Sequence, residues 1–288
     1  KDMKKGIERC IEALKSITLH QLWSKAYLSY EDEVQVVESA RAFKSSKPWT
    51  SDLQQEFLHI YDSVKNLDLP KGYNYQVGGQ IVEPRLMQKH VAVLAQRYRQ
   101  FLVMSDMGTG KSLAAQLAVK ADKAKRILVI PINSCVDQWM NDFTNQWRNN
   151  QVTRIDRNFL KKLQKSSPTF NPGDKSMVWV LPAHLLSLIR DEEISCLVEA
   201  LKPDAVIADE IHVFKTRESK GESKRRTQTK KLLSLISEQN PNRMVLGLSG
   251  TVIVNSLGEG KALLELVTGE ERDDLPAGTG LNQAMRMH

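Results

Sequence analysis

Apolar positions in this chain follow two different periods. Five short runs, at 101–104, 127–130, 177–181, 205–208 and 244–248, are apolar almost without interruption. Runs of that length read as strands buried on both faces. The stretches between them hold apolar residues at helical spacing, as in Leu113, Ala114, Leu117, Ala118 and Ala121. Strands alternating with helices imply a mainly parallel sheet covered on both sides, an α/β fold. The first 70 or so residues read as helical instead. Ile7, Cys10, Ile11, Leu14 and Ile17 keep one helix face, and Val34, Val36, Val37 and Ala40 continue in a second segment. Ser51-Asp52 can cap a third, with Leu53, Phe57, Ile60, Tyr61 and Val64 on its face. Leu69-Pro70-Lys71-Gly72-Tyr73 marks a break, and Gly78-Gly79 a tight turn before Gln80-Ile81-Val82. The expected organisation is a helical accessory region over 1–75, an α/β lobe over 76–270 closed by a helix from Leu257 to Val267, and a tail over 271–288.

The strand 101–104 runs into Ser105-Asp106-Met107-Gly108-Thr109-Gly110-Lys111-Ser112, and a helix pattern follows. Strand, glycine loop and helix are the context of a phosphate-binding loop. Glycines let the backbone curl so that several N–H groups face phosphate oxygens, and the helix N-terminus adds partial positive charge. Residues 106–112 therefore form a candidate nucleoside-triphosphate site. Lys111 can reach the β- and γ-phosphates, and the Ser112 hydroxyl can hold Mg²⁺. The strict loop pattern has Gly where this chain has Ser105. A second carboxyl-bearing strand end follows at Asp209-Glu210-Ile211-His212, after the apolar run 205–208. Open α/β sheets keep their ligands at strand ends. Asp209 is placed to hold Mg²⁺, and Glu210 to orient or deprotonate an attacking water.

Asp-Glu-x-His downstream of a phosphate loop resembles the superfamily-two helicases and translocases, and more closely the first motor lobe of the Swi/Snf-type DNA translocases. Further segments fit in order over residues 81 to 270. Pro84-Arg85-Leu86-Met87-Gln88 resembles the glutamine segment, in which Gln88 would read adenine with an amide that both donates and accepts. Ile127-Leu128-Val129-Ile130, with Pro131 and Gln138-Trp139, resembles the motif that carries residues onto the nucleic-acid face. Val178-Trp179-Val180-Leu181 with Ala183-His184-Leu185-Leu186 resembles the strand and turn before the acidic motif. Leu246-Gly247-Leu248-Ser249-Gly250-Thr251 resembles the coupling motif, in which Ser249 and Thr251 would act with His212. Three positions depart from the Swi/Snf pattern: Thr109 for leucine, Ile211 for alanine and Val252 for proline. The resemblance implies a RecA-like P-loop lobe that uses ATP and Mg²⁺ and acts on nucleic acid, double-stranded DNA in particular. It also implies a second RecA-like lobe supplying an arginine finger. Residues 271–288 are too short to hold that lobe. Two other readings share these motifs: another superfamily-two motor, of RNA or restriction type, and a non-catalytic nucleic-acid-binding module.

Composition narrows the picture in three ways. Among 288 residues, 41 Lys and Arg outnumber 34 Asp and Glu, so the formal charge of +7 favours an anionic partner. The basic residues concentrate at Arg154, Arg157, Lys161, Lys162 and Lys165, and again between Lys215 and Lys231. In the second run Lys215, Arg217, Lys224, Arg225 and Arg226 are candidate phosphate contacts, the other reading being a solvated, mobile loop. Three cysteines, Cys10, Cys135 and Cys196, form no close pair, which argues against a zinc site and for a reducing, intracellular compartment. No apolar run approaches the roughly 20 residues of a membrane span. The N-terminal helices could bind a protein partner or simply brace the lobe.

Overall fold

Each of the five apolar runs forms a strand. The computed structural model describes residues 38, 41–42, 48–105, 108–166, 168–214, 223–250 and 257–271, so the helical segment expected over residues 7–17, and that over 34–40 apart from residue 38, lie outside the described residues. Helix α1 (Pro48–Lys65) leads to a hairpin of β1 (Gln76–Val77) and β2 (Gln80–Ile81). The core then alternates α2 (Leu86–Tyr98), β3 (Gln100–Met104), α3 (Lys111–Ala121), β4 (Arg126–Ile130), α4 (Val136–Asn145), β5 (Asn150–Arg154), α5 (Arg157–Ser166) and β6 (Ser176–Val180). It continues with a short α6 (Ala183–Leu186), α7 (Asp191–Leu201), β7 (Ala205–Ala208), α8 (Lys224–Gln239), β8 (Met244–Ser249) and α9 (Leu257–Thr268).

The six strands β3 to β8 make one sheet in the order β3-β8-β7-β4-β6-β5, every pair parallel. Successive side chains on a strand point to opposite faces, and the two faces are packed differently. Leu128, Ile130, Trp179, Val206, Ala208 and Val245 join a core with α5, α7, α8 and α9. Ile127, Val129, Val180, Ile207, Leu246 and Leu248 join another with α2, α3 and α4. Covering both faces explains the uninterrupted apolar runs. This is a RecA-like lobe. The Gly78-Gly79 turn closes the hairpin with φ of 62° and 82°, the left-handed pair that a two-residue hairpin turn requires.

Three differences from the sequence reading have physical causes. Strand β5 does not stand out in the sequence, because Asn150-Gln151-Val152-Thr153-Arg154 lies on the sheet edge and buries little apolar surface. Helix α1 begins at Pro48, ahead of the Ser51-Asp52 cap; proline's fixed φ suits a first helical turn. The latter part of the second basic run is a helix rather than a loop. Ser223 Oγ accepts from Arg226 N at 3.3 Å to cap it, and Leu232, Leu233 and Ile236 anchor its inner face.

Gly247 sits in β8 between Leu102 of β3 and Ala208 of β7. A Cβ there would lie 2.8 Å from Ile211 Cδ1, 2.9 Å from Val267 Cγ2 and 3.0 Å from Leu102 Cδ1. Its bare backbone is what lets the acidic turn and α9 pack down on the sheet. Gly247→Val is expected to destabilise the lobe by about 1–3 kcal/mol through overpacking, read as a lower urea midpoint with an unchanged slope.

Candidate nucleotide site

In a parallel sheet all strands end at the same edge, so the loops after β3 and β7 emerge together with only β8 between them. Ser105 N donates to Ser249 O at 3.3 Å, which ties the start of the glycine loop to the end of β8. Gly108 and Gly110 take φ of 78° and 84°, a region costly to residues with a side chain. Lys111 opens α3, is 9% exposed, and donates from Nζ to Ser105 O at 2.8 Å, folding back over the loop. Ser112, the next residue, is half-buried. Asp106 and Met107 lie outside the described residues. Ser105 and Thr109, both departures from family patterns, pair with each other: their hydroxyls are 2.9 Å apart.

Gln88 is 5% exposed and reaches the loop from α2. Its Oε1 accepts from Arg85 N at 2.8 Å and its Nε2 donates to Gly110 O at 3.2 Å. The amide expected to read adenine is thus held, in this structure, between its own helix start and the glycine loop.

The acidic turn is held more tightly. Asp209 N donates to Ile130 O at 3.0 Å, fixing the chain as it leaves the sheet. Asp209 is 7% exposed. Its Oδ2 accepts from the Trp139 indole Nε1 at 2.7 Å and its Oδ1 from Glu210 N at 3.0 Å. Burial pushes the Asp209 carboxyl above the usual carboxylate range. The Trp139 indole, the Glu210 N–H and the positive charge of Lys111 work against that rise, while the negative charge of Glu210 adds to it. Lys111 and Asp209 are therefore within electrostatic reach of each other. Glu210 adopts φ 47°, a left-handed conformation uncommon for glutamate. His212 Nδ1 lies 3.1 Å from Glu210 Oε2 and 3.0 Å from Ser249 Oγ, which links the acidic turn to the end of β8. Thr251 lies outside the described residues.

The candidate phosphate contacts divide. Lys215 and Arg217 lie outside the described residues. Lys224 is exposed and Arg225 half-buried. Arg226 is turned inward, 2% exposed, and donates to Phe214 O at 3.2 Å and Ala262 O at 3.0 Å. Those bonds join the turn after the acidic motif to α9, so this arginine is not a phosphate contact. The first basic run has a different setting. Arg154 ends β5 and lines a cavity of about 290 Å³ with Arg157, Asn158 and His184. His184 Nδ1 faces Asn133 Oδ1 at 2.5 Å, across the ends of β4 and β6.

Trp139 is the residue whose part the sequence did not reveal. Gln138-Trp139 is visible after β4, but the partner of its indole stands 70 residues away.

A six-stranded parallel sheet with a glycine loop and an acidic turn at one edge defines a RecA-like lobe of the helicase type. The family profile for DEAD/DEAH box helicases matches residues 85–259, and the chain belongs to that family. The fold is similar to the Sulfolobus solfataricus SWI2/SNF2 ATPase core solved in complex with dsDNA, at 15% identity and a TM-score of 0.50. That match covers 70% of this chain and 38% of the other, so this chain spans well under half of that protein's length. No curated protein matches the sequence. No helix among the described residues is long and apolar enough to cross a membrane.

Gly110 tests the loop geometry directly, because a Cβ there would come 2.4 Å from Gln88 Nε2 at an already positive φ. Gly110→Ala is expected to weaken MgATP binding about tenfold or more, the equivalent of at least ~1.4 kcal/mol of strain, measured by titration calorimetry.

Proposed function

We propose that this chain is the ATP-binding first lobe of a Swi/Snf-like DNA translocase, which couples ATP hydrolysis to movement on double-stranded DNA. The observation that supports it best is that the glycine loop and the acidic turn leave the same sheet edge with only β8 between them, both bonded to Ser249 at its end. The loop amides of residues 106–112 and the Lys111 ammonium would hold the triphosphate. Ser112 and Asp209 offer hard oxygen donors of the kind Mg²⁺ takes alongside phosphate oxygens, so the residues present fit that ion. Bound there, it would neutralise charge on the β- and γ-phosphates. Glu210 would hold the attacking water in line and accept its proton. The contact of His212 with both Glu210 and Ser249 gives a route from the phosphate to the end of β8. The cavity at Arg154 and His184 opens on the same sheet edge, where a DNA phosphate would meet cationic and neutral donors. In the proposed motor a second lobe adds an arginine, worth about 10³–10⁵ in rate for phosphoryl transfer.

The family match is equally compatible with a second reading, another superfamily-two motor, of RNA or restriction type. Full-length protein assayed with duplex DNA, single-stranded DNA and RNA separates the two. The translocase reading expects the largest ATPase stimulation from duplex DNA, and RNA-selective stimulation would overturn it. Glu210→Gln is expected to lower kcat by about 100-fold or more, in line with the loss of a positioned general base, while leaving ATP binding intact. The 288-residue chain alone is expected to turn over very slowly; fast, DNA-stimulated hydrolysis by it would contradict the need for a second lobe.

A further inference from the structure

We propose that Trp139 is a positioning residue for the metal-holding carboxylate, its buried indole N–H orienting Asp209 toward the ion that accompanies the triphosphate. The inference rests on the assignment of Asp209 to Mg²⁺ given above. Trp139 is 1% exposed. It lies on α4, and its ring stacks on Phe143 one turn later, with centroids 6.1 Å apart and planes at 29°. That packing leaves the indole no room to swing, so its N–H is aimed by the core itself. The donor meets Asp209 Oδ2 at 2.7 Å while Glu210 N meets Oδ1 at 3.0 Å. One fixed donor on each oxygen sets both the rotation and the plane of the carboxylate. Each oxygen keeps a further lone-pair direction for a cation or its water.

The same stretch of chain makes a second bond of this kind. Trp147, just past α4, is 1% exposed and donates from Nε1 to Gln116 Oε1 at 2.7 Å on α3, the helix that Lys111 opens. Two tryptophans, one on α4 and one just past it, thus fasten the two halves of the site, the acidic turn and the phosphate-loop helix. An apolar ring would fill the same core volume at 139. The N–H is the part that packing alone does not call for, and it ends on the buried carboxylate of Asp209.

Trp139→Phe removes that donor and keeps most of the ring. Affinity for ATP is measured by fluorescence titration in EDTA and again in excess Mg²⁺, with the wild-type and variant 288-residue chains. The expected result is unchanged affinity in EDTA and a loss of about 10–100-fold in the gain that Mg²⁺ confers, the usual consequence of removing an outer partner of a metal ligand. An unchanged Mg²⁺ gain, or an equal loss in both buffers, overturns the proposal, because core packing alone would produce either. The hydrogen bond itself is read without metal. The indole proton of Trp139, assigned by its disappearance in Trp139→Phe, is expected to shift in the ¹H–¹⁵N spectrum of Asp209→Asn. No shift overturns the contact. A shift in Asp209→Asn together with no Mg²⁺ gain in the wild type leaves the contact standing and removes the metal assignment of Asp209 instead.

Discussion

The structure depends on parallel pairing through β8. Strands β3 and β7 never touch; β8 lies between them and pairs with both. Neighbouring strands stand about 4.8 Å apart, so two spacings put the glycine loop and the acidic turn roughly 10 Å from each other. A triphosphate with its ion spans a gap of that order. Had β8 paired elsewhere, the same two sequence motifs would face different solvent. The Ser105 N to Ser249 O bond and the His212 to Ser249 contact continue this pairing past the last ladder residues. The end of β8 is therefore bonded to both sides of the site it separates.

Two departures from family patterns, Ser105 and Thr109, meet each other in the loop. Ser105 and Thr109 would each look like a fault in the loop if considered singly, yet their hydroxyls bond across it. Ile211 is larger than the alanine usual at its position, and its Cδ1 takes up the space above the bare backbone of Gly247.

The sequence shows what is local. Buried strands in the lobe interior, the loop from Gly108 to Ser112, and the turn Asp209-Glu210 all announce themselves through short-range pattern. The edge strand β5 does not, because an edge strand needs little apolar surface. The inward turn of Arg226 is hidden for a related reason. Its fate is decided by two carbonyls, at Phe214 and Ala262, that approach only after α8 and α9 have packed. The bond from Trp139 to Asp209 is likewise a product of tertiary packing, since nothing near residue 139 points 70 positions onward. Gln88 shows both sides: its segment is readable, and its grip on Gly110 O is not.

Glu210 combines a reactive carboxylate with φ 47°, a conformation that costs a residue bearing a side chain about 1–2 kcal/mol. Glycine in its place would relax the chain and delete the carboxylate proposed to activate water in one step. Under the proposed role of Glu210, thermal endurance and turnover pull in opposite directions here. An evolutionary screen that rewarded heat resistance alone would drift toward an inert protein that is better folded than its working ancestor.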